Sequence, residues 1–155
     1  MKRWNRRRIR LAPEEYARTS AVCFITIAVQ NRQPVFGKSN VAAAAVEVLQ
    51  NHAAATGVRV YGYCVMPEHI HLVLSPSAAC AITAFVRQYK NLTQRAAWSL
   101  GVKGAFWQKR FWDHFLRADE QLERVVEYVL NNPVRRGLVD HWRDYAYSGS
   151  LVFDL

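Results

Sequence analysis

The order of apolar and polar positions along the chain predicts alternating strands and helices. Short runs rich in β-branched and aromatic residues predict strands over 21–30, 58–66, 69–74 and 106–116. Longer runs with apolar positions three and four residues apart predict helices over 41–56, 78–100 and 121–130. The tail after Pro133 predicts short irregular pieces that pack three aromatic side chains onto the body: Trp142, Tyr145 and Tyr147.

Local signals set the expected ends of these helices. Asn40 and Asp119 are predicted N-caps of the first and third helices, since short polar side chains can accept from free backbone N–H groups. Gly57 suits the left-handed position that follows a helix. Pro133 ends the third helix, because the residue before a proline disfavours helical backbone.

The resulting order β-α-β-β-α-β plus a third helix predicts an α+β fold. It is the ferredoxin-like split βαβ plan, an antiparallel sheet with two helices on one face. The additional C-terminal helix carries Tyr128. We expect residues 21–155 to form a single domain, preceded by an arm over residues 1–20.

His69 and His71 stand out in the third predicted strand. Side chains alternate along a strand, so the two histidines share one face while Ile70, Leu72 and Leu74 point to the two helices. Imidazoles about 7 Å apart along a strand can lean onto one cation. Two ordinary half-exposed histidines explain the pair equally well when it is taken alone.

Tyr128 and Asn132 are the residues that could complete such a site. They are four residues apart, one helical turn, and so share a helix face. If that face meets the histidines, two nitrogens and an amide oxygen leave open positions on a hard cation such as Mg²⁺ or Mn²⁺. The phenol beside it could then attack a phosphodiester.

Two neighbouring features leave alternatives open. Glu68 could orient a histidine, but a solvated carboxylate in a turn is slightly favoured. A zinc hydrolase is disfavoured, because Glu68 is the only acidic residue beside the pair that could serve as a third ligand.

Tyr89 competes with Tyr128 for the role of nucleophile. No amide side chain lies at helical spacing from Tyr89, so we interpret it as a packing residue or a DNA contact. The remaining histidines, His52, His114 and His141, are expected to be structural.

Charge is concentrated at the start of the chain. The net charge is +9, and the first ten residues hold six of the 21 basic side chains. A basic arm suggests a polyanionic partner such as nucleic acid, although a solubilising tail would look the same. The predicted contacts in the arm are Arg6, Arg7 and Arg8.

Further nucleic-acid contacts are predicted in the folded body. Arg87 and Lys90 fall on the second helix, where a basic stripe and a solvated helix face are equally good interpretations. Gln108 and Arg110 interleave with tryptophans, a pattern typical of single-strand stacking with base contacts.

The dispersed cysteines Cys23, Cys64 and Cys80 predict buried free thiols in a reducing compartment, by default the cytoplasm. No membrane span or secretory leader is expected.

Three sequence blocks carry a resemblance to a known family. Pro-Glu-His-Ile-His-Leu at 67–72 resembles the HUH signature (His, hydrophobic residue, His) of single-tyrosine transposases. The blocks at 107–114 and 127–134 resemble later signatures of one branch, the REP-associated tyrosine transposases. The similarity runs from about Cys23 to Tyr147.

This resemblance implies a function as well as a ferredoxin-like fold. It implies a metal-dependent single-stranded DNA endonuclease and strand transferase that cleaves beside palindromic REP-type hairpins through a 5′-phosphotyrosine intermediate. His69, His71 and Asn132 would hold Mg²⁺ or Mn²⁺, and Tyr128 would be the nucleophile. Such a protein would work as a monomer or homodimer in the bacterial cytoplasm, associated with the nucleoid. The alternative is a non-catalytic regulator that binds hairpin DNA or RNA.

Overall fold

An antiparallel sheet forms the centre of the computed structural model, which describes residues 21–117 and 120–155. Its strands in those residues are β1 (Cys23–Ala28), β2 (Arg59–Met66), β3 (His69–Ser75), β4 (Trp112–Phe115) and β5 (Ser148–Gly149). They lie side by side in the order β4-β1-β3-β2-β5, and each neighbouring pair is antiparallel. The basic arm with Arg6, Arg7 and Arg8, and the predicted cap Asp119, lie outside the described residues.

The helices complete the predicted α+β architecture. They are α1 (Ser39–Thr56), α2 (Ile82–Ser99), α3 (Leu122–Leu130) and α4 (Asn132–Arg135), with 3-10 turns at Gln30–Arg32, Val35–Gly37 and Trp142–Asp144. The order β1-α1-β2-β3-α2-β4 confirms the ferredoxin-like split βαβ plan with an additional helix after it. Strand β5 was not predicted, because two residues are too short to show a periodic pattern.

Several predicted ends needed correction. Gly57 closes α1 as expected, with φ of 75° and its N–H donating to the carbonyl of Ala53. Asn40 is not the cap, because α1 already begins at Ser39. Helix α2 begins only at Ile82, since a backbone turn occupies residues 77–80. Similarly, the strand predicted over 106–116 contracts to β4, because the backbone bends at residues 109–110.

The face of the sheet under α1 and α2 holds the larger of the two apolar clusters in the described part of the chain. Ile70, Leu72 and Leu74 are fully buried there, as the alternation in β3 predicts. Tyr89 of α2 is also fully buried, and its hydroxyl donates to the carbonyl of Ala45 at 2.9 Å. Tyr89 is therefore a packing residue, and the alternative prediction of a DNA contact is wrong.

Helix α3 covers the opposite face, the one that carries the histidines. Its buried side chains form the second apolar cluster together with side chains of the sheet. The members are Phe24, Cys64, Met66 and Val73 from the sheet and Val125, Val126, Val129 and Leu130 from α3. Trp142 and Tyr145 pack beside this cluster, and the Tyr145 hydroxyl donates to the carbonyl of Val65. Tyr147 packs against the cluster on the other face. The aromatic side chains of the tail therefore contact the body as predicted.

Gly62 of β2 lies where α3 approaches the sheet most closely. A Cβ on Gly62 would lie 3.2 Å from a methyl carbon of Val126. Since overpacking a filled contact costs about 1–3 kcal/mol, we expect Gly62→Val to lower the free energy of unfolding by that amount in a denaturant titration. Adding Val126→Ala should recover part of the loss. Equal stability of Gly62→Val and the natural chain would contradict this packing.

The cysteine prediction is confirmed within the described residues. Cys23, Cys64 and Cys80 are buried and free. Burial raises the pKa of the Cys64 thiol to about 12, so this thiol stays protonated at neutral pH.

In residues 21–117 and 120–155, none of the helices has both the length and the apolar character that crossing a bilayer requires.

Candidate active site

Strand β3 presents His69 and His71 side by side beneath α3. Their rings approach edge to face with centroids 4.5 Å apart, and the two Nε2 atoms are 3.0 Å from each other. This separation is far shorter than the spacing of two alternate residues along a strand, because both rings lean towards the same point. The side chains therefore converge, as a shared site requires.

Glu68 fixes the orientation of His69. Its Oε1 lies 3.0 Å from Nδ1 of His69, and the same oxygen accepts a hydrogen bond from Nη1 of Arg136. A carboxylate only accepts, so His69 donates through Nδ1–H and keeps its lone pair on Nε2. Glu68 is 8% exposed, which makes the favoured prediction of a solvated carboxylate wrong. The cause is tertiary, because Arg136 comes from the far end of the chain.

Thr26 of β1 orients His71 in the same way. Its hydroxyl lies 2.8 Å from Nδ1 of His71. A hydroxyl can accept or donate, and when it accepts, both Nε2 lone pairs face the same space. Sequence reasoning missed Thr26, although the pairing of β1 with β3 sets it directly opposite His71. Only the strand register, which the sequence does not show, could have identified it.

Burial and neighbouring charges keep these groups in the protonation states that favour cation binding. Burial lowers the pKa of His69 despite the opposing charge of Glu68. Burial also lowers the pKa of His71 well below its ordinary value, assisted by the charges of His69, Arg135 and Arg32. Burial alone would raise the pKa of Glu68, but the hydrogen bond from Arg136 and the nearby positive charges hold it below its ordinary value. The histidines are therefore neutral and the carboxyl ionised at neutral pH.

Tyr128 of α3 lies on the histidine side of the sheet. Its ring meets the buried ring of Phe24 edge to face, with centroids 6.1 Å apart. Phe24 in turn lies 5.3 Å from the ring of His71, so one aromatic side chain contacts both. The structure thus brings Tyr128 and the histidine pair, more than fifty residues apart in sequence, to one place.

Three arginines that sequence reasoning missed surround this place. The guanidinium carbon of Arg135 lies 3.9 Å from the centroid of the Tyr128 ring. Arg136 bonds Glu68, and the charge of Arg32 contributes to lowering the pKa of both His69 and His71. Arg32 follows β1 in left-handed backbone, with φ of 54°. Adjacent arginines after a proline give no sequence signal of this role, since it depends on how the helices dock.

Asn132 begins α4, four residues after Tyr128, and is 8% exposed. The helical backbone continues past it, with the N–H of Arg136 donating to its carbonyl. Among the hydrogen bonds of residues 21–117 and 120–155, none joins its amide to His69 or His71. Its assignment as a third ligand stays a prediction.

The histidine pair suits a divalent cation. Two ligands held about 2.1 Å from a cation at a right angle lie about 3.0 Å apart, the separation expected in octahedral coordination. The observed distance between the Nε2 atoms is 3.0 Å. In the described residues, no group of three or more His, Cys, Asp and Glu side chains could hold a metal. Asn132, as an amide, stays the predicted third ligand.

The predicted nucleic-acid contacts divide between two places. The backbone N–H of Gln108 donates to Ala28, which pairs with His69 on its other side. Gln108 therefore lies at the histidine end of the sheet, Arg110 follows two residues later, and both are exposed. Arg87 and Lys90 belong to α2 on the opposite face, although Nζ of Lys90 donates to the carbonyl of Gln108. The structure brings Gln108 towards the site and leaves Arg87 on the other layer.

The chain is similar to known transposases. A Haemophilus influenzae protein described as a REP-associated tyrosine transposase is 31% identical over 100 residues, 55% of this chain and 54% of that protein. The Escherichia coli K12 REP-associated tyrosine transposase is 27% identical over 89 residues, 57% of this chain and 52% of that protein. The chain thus spans about half the length of the curated relatives it matches.

A solved structure shares the fold. It is a REP-associated tyrosine transposase bound to a REP hairpin, 23% identical, with a TM-score of 0.67 over 96% of this chain and 82% of that one. The sequence model of the family described as "Transposase IS200 like" matches residues 19–132. That match runs from before the first strand to Asn132 and covers most of the sequence, and the chain therefore belongs to the IS200-like transposase family.

Proposed function

We propose that this protein is a metal-dependent endonuclease and strand transferase that acts on single-stranded DNA next to hairpins. One observation carries the proposal. The Phe24 ring contacts both Tyr128 and His71, while the two histidine Nε2 atoms converge at 3.0 Å. A phenol next to a convergent imidazole pair suits transfer of a phosphodiester to tyrosine, the chemistry that the family resemblance implies.

The reaction exchanges one phosphodiester bond for another. The phenol oxygen of Tyr128 attacks the phosphorus and gives up its proton to solvent or a base. The bond from phosphorus to the 3′ oxygen breaks, and that oxygen takes a proton to become a 3′ hydroxyl. The strand is then linked to Tyr128 through its 5′ phosphate, and a later attack by a 3′ hydroxyl reverses the step and rejoins DNA.

The chain's own residues prepare this step. His69 and His71, with Asn132 as the proposed third ligand, would hold Mg²⁺ or Mn²⁺. A bound divalent cation offsets charge on the phosphoryl oxygens. Glu68 holds the His69 ring by Nδ1, which leaves its Nε2 lone pair available, and Thr26 does the same for His71 when its hydroxyl accepts. Packing of α3 on the sheet keeps the phenol on the same side.

DNA contacts follow from charge and position. We assign the exposed Gln108 and Arg110, at the histidine end of the sheet, to the single strand that enters the site. Arg87 and Lys90 on α2, and Arg6, Arg7 and Arg8 of the arm, would bind hairpin phosphates, which give affinity without sequence reading. A relative bound to a REP hairpin supports this class of partner.

Covalent capture tests the proposal. The protein is incubated with Mg²⁺ and a labelled hairpin that has single-stranded flanks, and the products are separated under denaturing conditions. We expect a DNA-linked protein band and a released fragment that ends in a 3′ hydroxyl. Tight hairpin binding with no adduct in Mg²⁺ or Mn²⁺ would instead support the non-catalytic regulator. Activity with Zn²⁺ alone would point to a hydrolase.

Glu68 is expected to matter for metal binding more than for DNA binding. Replacing it with glutamine keeps the shape but weakens the acceptor for His69 Nδ1–H, and loss of such an outer partner typically costs about 10–100-fold in metal affinity. Mn²⁺ titration monitored by electron paramagnetic resonance measures this loss without any cleavage. Glu47→Gln, an exposed change on α1, is the matched control and should leave the affinity unchanged. Equal affinity of Glu68→Gln and the natural chain would contradict the role.

A further inference from the structure

We propose that Arg135 binds the phosphate that Tyr128 attacks and holds the phenol ring in position for it. This inference rests on the proposed function and deepens it. No block of the sequence resemblance assigns a role to Arg135, and the assignment comes from four observations on the described residues.

The first observation is the contact between Arg135 and Tyr128. The guanidinium carbon lies 3.9 Å from the ring centroid, and Nη2 donates to the backbone carbonyl of Tyr128 at 2.9 Å. The guanidinium therefore stacks on the phenol face and is anchored by a hydrogen bond. Stacking of this kind stabilises one orientation of the ring.

The second observation is a difference between two adjacent arginines. Arg136 forms an ion pair with the buried Glu68, so its charge is largely offset by that carboxylate. In the part of the chain that the structure describes, Arg135 makes no ion pair with a carboxylate. Both arginines are exposed, so the difference between them is the ion pair. The charge of Arg135 is available to an anion from solution, whereas that of Arg136 serves the histidine pair.

The third observation places this charge near the histidines. The Phe24 ring lies 6.1 Å from the ring of Tyr128, which carries the guanidinium on its face, and 5.3 Å from the ring of His71. Arg135 therefore lies against the phenol ring, on the side of the sheet that carries the histidines. An anion held by its guanidinium would lie beside that ring, on the same side as the proposed cation.

The fourth observation is the chemistry of the side chain. A guanidinium is planar and always charged; it can stack by its face and donate by its edge. A phosphate accepts two parallel N–H groups from that edge. With one edge nitrogen bonded to the Tyr128 carbonyl, the remaining N–H groups can meet a phosphate beside the ring. Lysine could supply the charge but neither the stacking nor the fork.

A binding cycle without cleavage tests this inference. The background is Tyr128→Phe, which keeps the ring under the guanidinium and removes the nucleophile. Hairpin DNA with a single-stranded flank carries one neutral methylphosphonate, moved along the flank one position at a time. With Arg135 present, we expect one position to weaken binding about tenfold or more, as for loss of one charge-assisted hydrogen bond. The Arg135→Gln protein should bind unmodified DNA about tenfold or more weakly. Placing the methylphosphonate at that sensitive position should not weaken its binding further.

Matched variants separate this role from general positive charge. Arg143 also stacks on an aromatic ring, that of Trp142 at 4.5 Å, so Arg143→Gln should leave the sensitivity at that position intact. Arg135→Lys should restore only part of it. If Arg135→Gln keeps the full sensitivity, or weakens all substrates equally with no position singled out, the inference is wrong.

The binding measurements with methylphosphonate DNA and the covalent capture assay can fail separately. A single sensitive position that disappears with Arg135→Gln, together with no adduct from the natural chain, would support the phosphate contact and overturn the proposed reaction. An adduct from the natural chain without a position that depends on Arg135 would support the reaction and overturn the role of Arg135.

Discussion

Replacing Tyr128 with phenylalanine is expected to abolish the covalent adduct with hairpin DNA. The change removes one oxygen from a half-buried ring and leaves the contacts with Phe24 and Arg135 in place. Loss of a nucleophile typically lowers the rate by about three orders of magnitude or more. Hairpin affinity should change less than about threefold, because phosphate contacts supply most of it. Band intensity on a denaturing gel and a binding titration measure the two effects.

A second tyrosine serves as the control for this prediction. Tyr61 lies on β2 and bonds Ser75 through its hydroxyl, away from the histidine pair. Tyr61→Phe should form the adduct at the natural rate. If Tyr128→Phe still forms the adduct while retaining the natural fold, another residue is the nucleophile and the proposed mechanism is wrong.

Replacing both His69 and His71 with alanine is expected to abolish metal binding and cleavage together. The two Nε2 atoms are the only imidazole nitrogens that converge in the described residues, so their removal leaves no nitrogen ligand. Mn²⁺ binding should become undetectable by electron paramagnetic resonance, and cleavage should fall by about three orders of magnitude or more. Hairpin binding should be retained, because the proposed phosphate contacts are basic side chains elsewhere.

An exposed histidine provides the matched control. His141 lies next to the turn at Trp142–Asp144, where its ring accepts from the N–H of Arg143. His141→Ala should keep natural metal affinity and cleavage. Mg²⁺-dependent cleavage by the double histidine variant would show that the cation is held elsewhere. Loss of hairpin binding would be checked against thermal unfolding, since His69 is 6% exposed and its removal leaves a small cavity.

Much of the fold was accessible from local pattern. Alternation in β3 correctly divided Ile70, Leu72 and Leu74 from the two histidines, because side-chain direction in a strand has a strict period of two. The order of elements was enough to predict the ferredoxin-like plan, and the match over residues 19–132 shows the IS200-like transposase family. Element ends were less accessible, as the early start of α1 and the short β4 show, because tertiary contacts override weak local preferences.

The residues that surround the histidine pair could not be predicted from the local sequence pattern. Glu68 looked like a solvated turn residue until Arg136, 68 positions away, buried and paired it. Thr26 is one threonine among several until strand register places it against His71. Arg135 and Arg32 gained a role only from their positions around the histidine pair. Each of these depends on contacts between segments distant in sequence.

The sequence by itself determined most of the elements, the sheet face of His69 and His71, and the helix that carries Tyr128. These properties follow from periods of two and 3.6 residues, which are local. Only the tertiary structure decided that α3 docks on the histidine face, through the contact of Val126 with Gly62 and the cluster around Phe24. It also decided which charges surround the pair. The physical reason is that burial and docking maximise contact over the whole chain, which no local segment encodes.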